Sequence, residues 1–160
     1  MSSPDNPLNV YRLLTRAGVP FVIIGGHAVV FHGYLRTTED ADLIFDRSPE
    51  SEAALFEALE SIHACWISDQ RDPATGLEML VPISPSYVRD QHLMMLTTDI
   101  GFVDLYDYIP GFPDIPVADL FSDSIEIDDM RFVSLRWLRK FKQAANRHKD
   151  LDDLEHLPSS

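Results

Sequence analysis

The sequence predicts an α+β (α/β) protein, a small mixed β-sheet flanked by helices, in one domain. Three observations carry this. Short β-branched and alternating runs are interleaved with amphipathic segments along the whole chain. Helix starts are marked by Asn6-Pro7, Ser48-Pro49 and Ser134. At 160 residues the chain has single-domain length, without an internal repeat or low-complexity tract. A core over about 7–133 is expected, followed by a helical segment over about 134–157.

Each element has its own signal. After Asn6-Pro7, Leu8, Tyr11 and Leu14 recur at helical spacing, and Gly18 ends the segment. Pro20 opens the apolar run Phe21-Val22-Ile23-Ile24, a buried strand stopped by Gly25-Gly26. Residues 27–31 read as a short helix ending near His32-Gly33. Residues 40–46 alternate polar and apolar, as a second strand does. Ser48-Pro49 launches a helix over 50–63 with Leu55, Leu59 and Ile62 on one face. The polar stretch 68–76 reads as a loop, and 77–83 as a strand. Residues 93–97 and 102–106 form a hairpin around Asp99-Ile100-Gly101. Three prolines make 109–116 a loop. Residues 125–132 give two short strands turning at Asp128-Asp129. Ser134 caps a helix to about residue 146, and a last helix covers 149–157.

Composition narrows the classes. A hydrophobic share of 45% and a charged share of 24% are those of a globular protein. No apolar run approaches membrane-helix length, and residues 1–10 lack signal-peptide character, so a cytoplasmic protein with no membrane partner is expected. The single cysteine, Cys65, rules out an intrachain disulfide and a cysteine-clustered zinc site; beside Trp66 it reads as core. Thirteen basic against twenty-six acidic residues give a net charge of −13. Seven of the basic residues fall between Arg131 and Lys149, where there is no Asp or Glu, leaving six minus twenty-six, or −20, elsewhere. That basic stripe either holds phosphates or is a solvated helix face.

The chemistry concentrates around Gly25-Gly26 and Asp40-Ala41-Asp42. Alternate strand residues share a face, so Asp40 and Asp42 project together. Paired carboxylates call for a cation between them, and hard oxygen donors suit Mg²⁺ or Mn²⁺. A glycine pair at a strand-to-helix turn exposes backbone N–H groups to phosphate. Asp104, between Val103 and Leu105 on another strand, faces the pair if the two strands are neighbours. Three carboxylates can hold two metal ions across a phosphoryl transfer. Zinc on His27 and His32 is disfavoured by their spacing of five, and His32 reads as core or supporting. Arg36 either positions a phosphate or pairs with Glu39 or Asp40. Asp150 and Asp153 read as ion-pairing, and Trp137 and Phe141 as packing.

These residues resemble the DNA polymerase β-type nucleotidyltransferase superfamily, in Gly25-Gly26, Asp40-x-Asp42 and a later Asp104. The chain is more closely similar to AbiEii-like and related small bacterial nucleotidyltransferases. That likeness rests on Gly25-Gly26-His27-Ala28, His32-Gly33, Arg36, Thr38, Asp40 and Asp42, and on Lys142, Arg147, Lys149, Asp150 and Asp153. It spans about 7–157, with 48–96 matching nothing specific, and His27 stands where the superfamily has Ser or another small residue. The resemblance implies the nucleotidyltransferase fold and Mg²⁺-dependent transfer of a nucleotidyl group from an NTP to an acceptor hydroxyl. Asp40, Asp42 and Asp104 would hold the metals, with Asp104 also helping to activate the hydroxyl. Gly25 and Gly26 would meet the β- and γ-phosphates, and Lys142 would neutralise the triphosphate. The acceptor could be tRNA, protein or a small molecule, and a cognate antitoxin is an implied partner. The alternatives are a non-catalytic nucleotide- or partner-binding protein that keeps the fold, and a structural partner in a heteromeric complex that uses the basic helix.

Overall fold

Eight strands share one mixed sheet in a computed structural model that describes residues 6, 8–37 and 40–159. The elements in chain order are α1 (Leu8–Ala17), β1 (Phe21–Ile23), α2 (Gly25–Phe31), β2 (Ala41–Phe45), α3 (Pro49–Ser61), β3 (Cys65–Arg71), β4 (Glu78–Pro82) and α4 (Pro85–Asp90). They continue with β5 (Leu93–Thr98), β6 (Gly101–Tyr106), α5 (Val117–Ser122), β7 (Ile125–Ile127), β8 (Met130–Phe132), α6 (Leu135–Ala145) and α7 (His148–His156). The sheet order is β4-β3-β5-β6-β2-β1-β8-β7. β2 runs parallel to β6, and β1 parallel to β8; the other neighbours are antiparallel.

The two sheet faces are covered differently. On one face Leu43, Val103, Leu105, Met94 and Leu96 are buried with Tyr11 and Leu14 of α1, Leu55 and Leu59 of α3 and Val88 of α4. On the other, Val22 and Ile44 are buried with Ala28 and Val29 of α2, Leu120 of α5 and Trp137 and Leu138 of α6. Alternation along β2 therefore sends Leu43 to one core and its neighbours Asp42 and Ile44 to the other face.

The local start signals hold where they can be seen. Asn6 Oδ1 accepts the N–H of Leu8 at 3.0 Å, while Pro7 lies outside the described residues. Ser48 accepts from Ser51 N at 3.0 Å, and Ser134 accepts from Trp137 N at 3.2 Å. The expected loop over 68–76 is corrected: β3 extends to Arg71 and pairs with β4, and only 72–76 turns. There Asp72 N donates to Leu77 O and Gly76 N to Asp72 O, each at 2.8 Å. The polar residues of β3 are tolerated because its outer end is mostly exposed near the sheet edge. α4 and α5 were not anticipated; at six residues each they are too short to display a helical period. Among the described residues no helix is long and apolar enough to cross a membrane.

Candidate active site

Parallel pairing of β2 with β6 sets Asp42 directly beside Asp104. The two carboxyls share one sheet face, side by side across the strands. Burial and the neighbouring negative charges push Asp42 up to about 7, and burial raises Asp104 as well. Asp42 is thus only partly ionised near neutral pH in the absence of a cation. Asp40 stands exposed just before β2 and lines the same cleft; its charge raises both partners further.

The backbone around Asp42 is fixed from three sides. Ile24 N donates to Asp42 O at 3.0 Å. Asp42 N donates to the hydroxyl of Tyr11 at 3.1 Å, and that hydroxyl donates to His27 Nδ1 at 2.7 Å. Tyr11 is wholly buried, and burial pushes its hydroxyl well above the usual phenol range, so it stays a neutral donor. His27 is held below its ordinary value, chiefly by burial and then by the charge of Arg36. Gly25 has φ +68°, and a Cβ there would sit 2.3 Å from Asp42 Oδ2. Only glycine gives both the left-handed turn and that close approach.

The cleft holds about 470 Å³. Gly25, Asp40, Asp42, Asp104 and Tyr106 form one wall; Lys142, Arg147, Lys149 and Asp150 of α6 and α7 form the other. Behind that second wall runs an alternating row of charges. Arg36 meets Asp153 through Nε–Oδ1 at 3.0 Å and Nη2–Oδ2 at 3.1 Å. Lys142 Nζ lies 3.0 Å from Asp153 Oδ2 and 3.4 Å from Asp150 Oδ1. Arg147 Nε donates to Asp150 Oδ2 at 2.7 Å, and Arg147 N to the same oxygen at 3.1 Å. Asp150 and Asp153 are fully buried, and the bonds from Arg147 hold Asp150 below the usual carboxylate range against its burial.

The structure brings Asp40, Asp42, Asp104, Gly25 and Lys142 to one cleft, but not Gly26 or Arg36. Gly26 is buried one residue further into α2. Arg36 is held by Asp153, because α7 packs against the segment after α2. Thr38 and Glu39 lie outside the described residues. Lys142 reaches the cleft wall, yet its ammonium is engaged by two buried carboxylates. Lys149 is exposed on this wall, as is Arg147, and the charge of Lys149 pulls Asp42 downward. His27 does not line the cleft; its ring turns toward Tyr11, so it does not crowd a phosphate at Gly25. His32 supports the fold through Nε2 and Val133 O at 2.8 Å.

Sequence reasoning missed Tyr11 as a positioning residue, since α1 and β2 meet only in three dimensions. It also ranked Lys142 above Lys149, and an ion pair across two helices leaves no local signal.

Among the described residues no three His, Cys, Asp or Glu side chains stand assembled as a ready metal-binding group. The convergence of all three aspartates therefore narrows to the Asp42–Asp104 pair, with Asp40 at the mouth. This donor set fits Mg²⁺ or Mn²⁺, which take one or two carboxylates and complete their shell with water and substrate phosphates. The crowding of negative charge that raises Asp42 marks where positive charge is wanted.

No family model matches the chain, and no curated protein matches it. Solved structures do. The chain is similar over 97% of its length to an antigenic nucleotidyltransferase-like protein from Paracoccidioides brasiliensis, at 19% identity and a TM-score of 0.50, covering 74% of that chain. It is also similar over 96% of its length to JHP933 from Helicobacter pylori, at 17% identity and a TM-score of 0.49. The chain spans 65% of the length of JHP933. The fold is nucleotidyltransferase-like.

Three outcomes follow from this geometry. Gly25→Ala strains the left-handed turn and displaces Asp42, costing about 1–3 kcal/mol in a urea melt. Lys142→Ala leaves Asp150 and Asp153 buried without their shared cation and costs about 3–5 kcal/mol, read the same way. The raised Asp42 and Asp104 stabilise the metal-free fold below about pH 4 and lose that contribution as pH rises toward 7. Asp42→Asn, whose amide can donate to Asp104, should therefore melt above wild type at pH 8 without divalent ions, with the gap closing at pH 4.

Proposed function

We propose that the chain is a metal-dependent nucleotidyltransferase, moving a nucleotidyl group from an NTP to an acceptor hydroxyl. The observation that carries this reading is the register pairing of Asp42 with Asp104 in a cleft walled on the far side by Lys149 and Arg147. Asp42 and Asp104 would hold Mg²⁺ or Mn²⁺, with Asp40 able to join once substrate is present. When bound, the ion supplies Lewis-acid charge for the triphosphate.

The protein's own residues do the rest. Gly25 offers backbone without a side chain beside Asp42, where phosphate oxygens can approach. Lys149, exposed at the mouth, supplies a mobile ammonium for the triphosphate, the role first expected of Lys142. The acceptor oxygen bonds to the α-phosphorus, the bond to the bridging oxygen breaks, and pyrophosphate leaves. Asp104 is suited to take the hydroxyl proton, because burial, with the charge of Asp40, raises its basicity. Positioning and electrostatics carry most of such a transfer.

The finer resemblance to AbiEii-like bacterial enzymes adds a toxin–antitoxin setting with a cognate antitoxin to this proposal, and a cytoplasmic location. The turn of His27 away from the cleft takes away one of the two grounds for a non-catalytic member, the other being the acidic body of the chain.

Calorimetric titration with NTP in the presence and absence of Mn²⁺ tests the reading. Metal-dependent binding is expected, with Asp104→Asn abolishing turnover. Lys149→Ala should weaken NTP affinity about tenfold, or ~1.4 kcal/mol, with an unchanged melt. NTP binding indifferent to metal sinks the proposal.

A further inference from the structure

The face that carries Asp42 and Asp104 is only half covered. Over β1 and β2 it is buried under α2, α5 and α6. Over β3, β4, β5 and the outer part of β6 it carries large apolar side chains in the open. The register places them on that same face. Met95 of β5 lies directly opposite Asp104 of β6. Phe102 precedes Asp104 by two residues on β6 and so shares its face. On β3, Cys65 lies opposite Thr97, which puts Ile67 on the face of Met95, and Leu80 of β4 lies opposite Ile67.

These four side chains are exposed by 59% (Met95), 55% (Phe102), 46% (Ile67) and 55% (Leu80). The opposite face of β5 and β6 is packed: Met94, Leu96, Val103 and Leu105 are buried. The exposure of Met95 and Phe102 is therefore not that of a frayed sheet edge, and Ile67 and Leu80 extend it toward the edge strand β4. A contiguous apolar patch on an otherwise well-packed chain marks an interaction surface. It adjoins the reacting site, because Met95 and Asp104 are cross-strand neighbours.

We infer that this half-face docks a protein acceptor, and that the hydroxyl receiving the nucleotidyl group belongs to a Ser, Thr or Tyr beside an apolar, basic segment of that protein. The inference rests on the nucleotidyl-transfer reading above. Charge selects this occupant. Glu78, two residues before Leu80 on β4, shares its face, and between residues 65 and 106 six acidic residues, Asp104 among them, stand against two basic ones, Arg71 and Arg89, on a chain of net charge −13. Such a surface repels a phosphate backbone and attracts a basic partner. Ile67, Leu80 and Met95 offer aliphatic contact rather than stacking planes, which suits protein side chains better than bases. A second copy would bring the same acidic rim against this one. A small molecule is better held by a concave pocket than by an open pleated surface.

The test uses the full chain with Mg²⁺ and α-³²P-labelled NTPs. The acceptors are short synthetic peptides with a central Ser, Thr or Tyr in basic-apolar, acidic-apolar and basic-polar sets, and total tRNA in a separate arm. Label is expected on the basic-apolar peptides. It should fall about tenfold in Ile67→Ser/Leu80→Ser and in Phe102→Ser, whose melts and metal-dependent NTP binding stay at wild-type values. Label on tRNA alone, equal labelling of all peptide sets, or undiminished labelling by the variants overturns the inference. So does a concentration-dependent dimer in sedimentation that the variants dissolve. No labelling in either arm with NTP binding intact overturns the protein acceptor alone, whereas loss of metal-dependent NTP binding in the wild type strikes the nucleotidyl-transfer reading itself.

Discussion

The alternating row Arg36–Asp153–Lys142–Asp150–Arg147 is the interaction on which the rest of the site depends. Two carboxylates with no solvent exposure are tolerable only because each meets a cation on either side. The row also has a mechanical effect. It ties the segment after α2 to α7, and α7 to α6, so that the C-terminal helices form a wall facing the sheet. Tyr34 adds to the clamp, its hydroxyl donating to Asp152 Oδ2 at 2.8 Å and its ring stacked on His156. Without that wall Asp42 and Asp104 would lie on an open sheet face rather than in a cleft.

The same chain treats the half-buried carboxylates of the cleft in the opposite way. Asp42 and Asp104 are brought together by strand register, with no Lys or Arg among the described residues ion-paired to either. Gly25 allows the turn to press against Asp42, and Tyr11 and His27 fix the backbone beneath it. The fold thus neutralises the acids that build the wall and leaves the acids that face the cleft uncompensated. An uncompensated pair held in fixed geometry is a structural cost that a bound cation can offset, and perturbed groups of this kind cluster at functional sites. The basic segment divides along the same line. Arg131 pairs with Glu126 and Arg136 with Asp123, Lys140 lies over Trp137, and Lys149 is exposed at the cleft.

What the sequence disclosed follows from how local each cause is. The Asp40–Asp42 spacing, the glycine turn and the Ser48 and Ser134 caps are set by a few consecutive residues, and the structure contains each where it was expected. Asp104 was found because an Asp between two apolar residues is itself a strand signature. The cap and proline of Ser84-Pro85 repeat the Ser48-Pro49 signal, so α4 was legible and was overlooked. β3 was hidden because its polar outer end looks like a loop until β4 pairs with it. The engagement of Arg36 by Asp153 joins residues more than a hundred positions apart, and no spacing rule reaches that far. Which of two nearby lysines is buried is likewise decided by the packing of α6 on α7, not by either lysine.

Half coverage of one sheet face explains the position of the site within the fold. Where α5 and α6 cover the sheet, polar groups would be sealed from substrate; where nothing covers it, carboxylates would be hydrated and unremarkable in their acidity. Asp42 and Asp104 sit on the boundary. Their carbon stems border the packed side at Ile44 and the open side at Met95, which leaves them desolvated enough to be raised above the usual carboxylate range yet reachable from solution. The apolar patch begins where the helices end, so a molecule completing the coverage would also dry the carboxylate pair. Coverage and electrostatics are then one constraint, because burying Met95 lowers the local dielectric around Asp104 and strengthens its interaction with any cation held there.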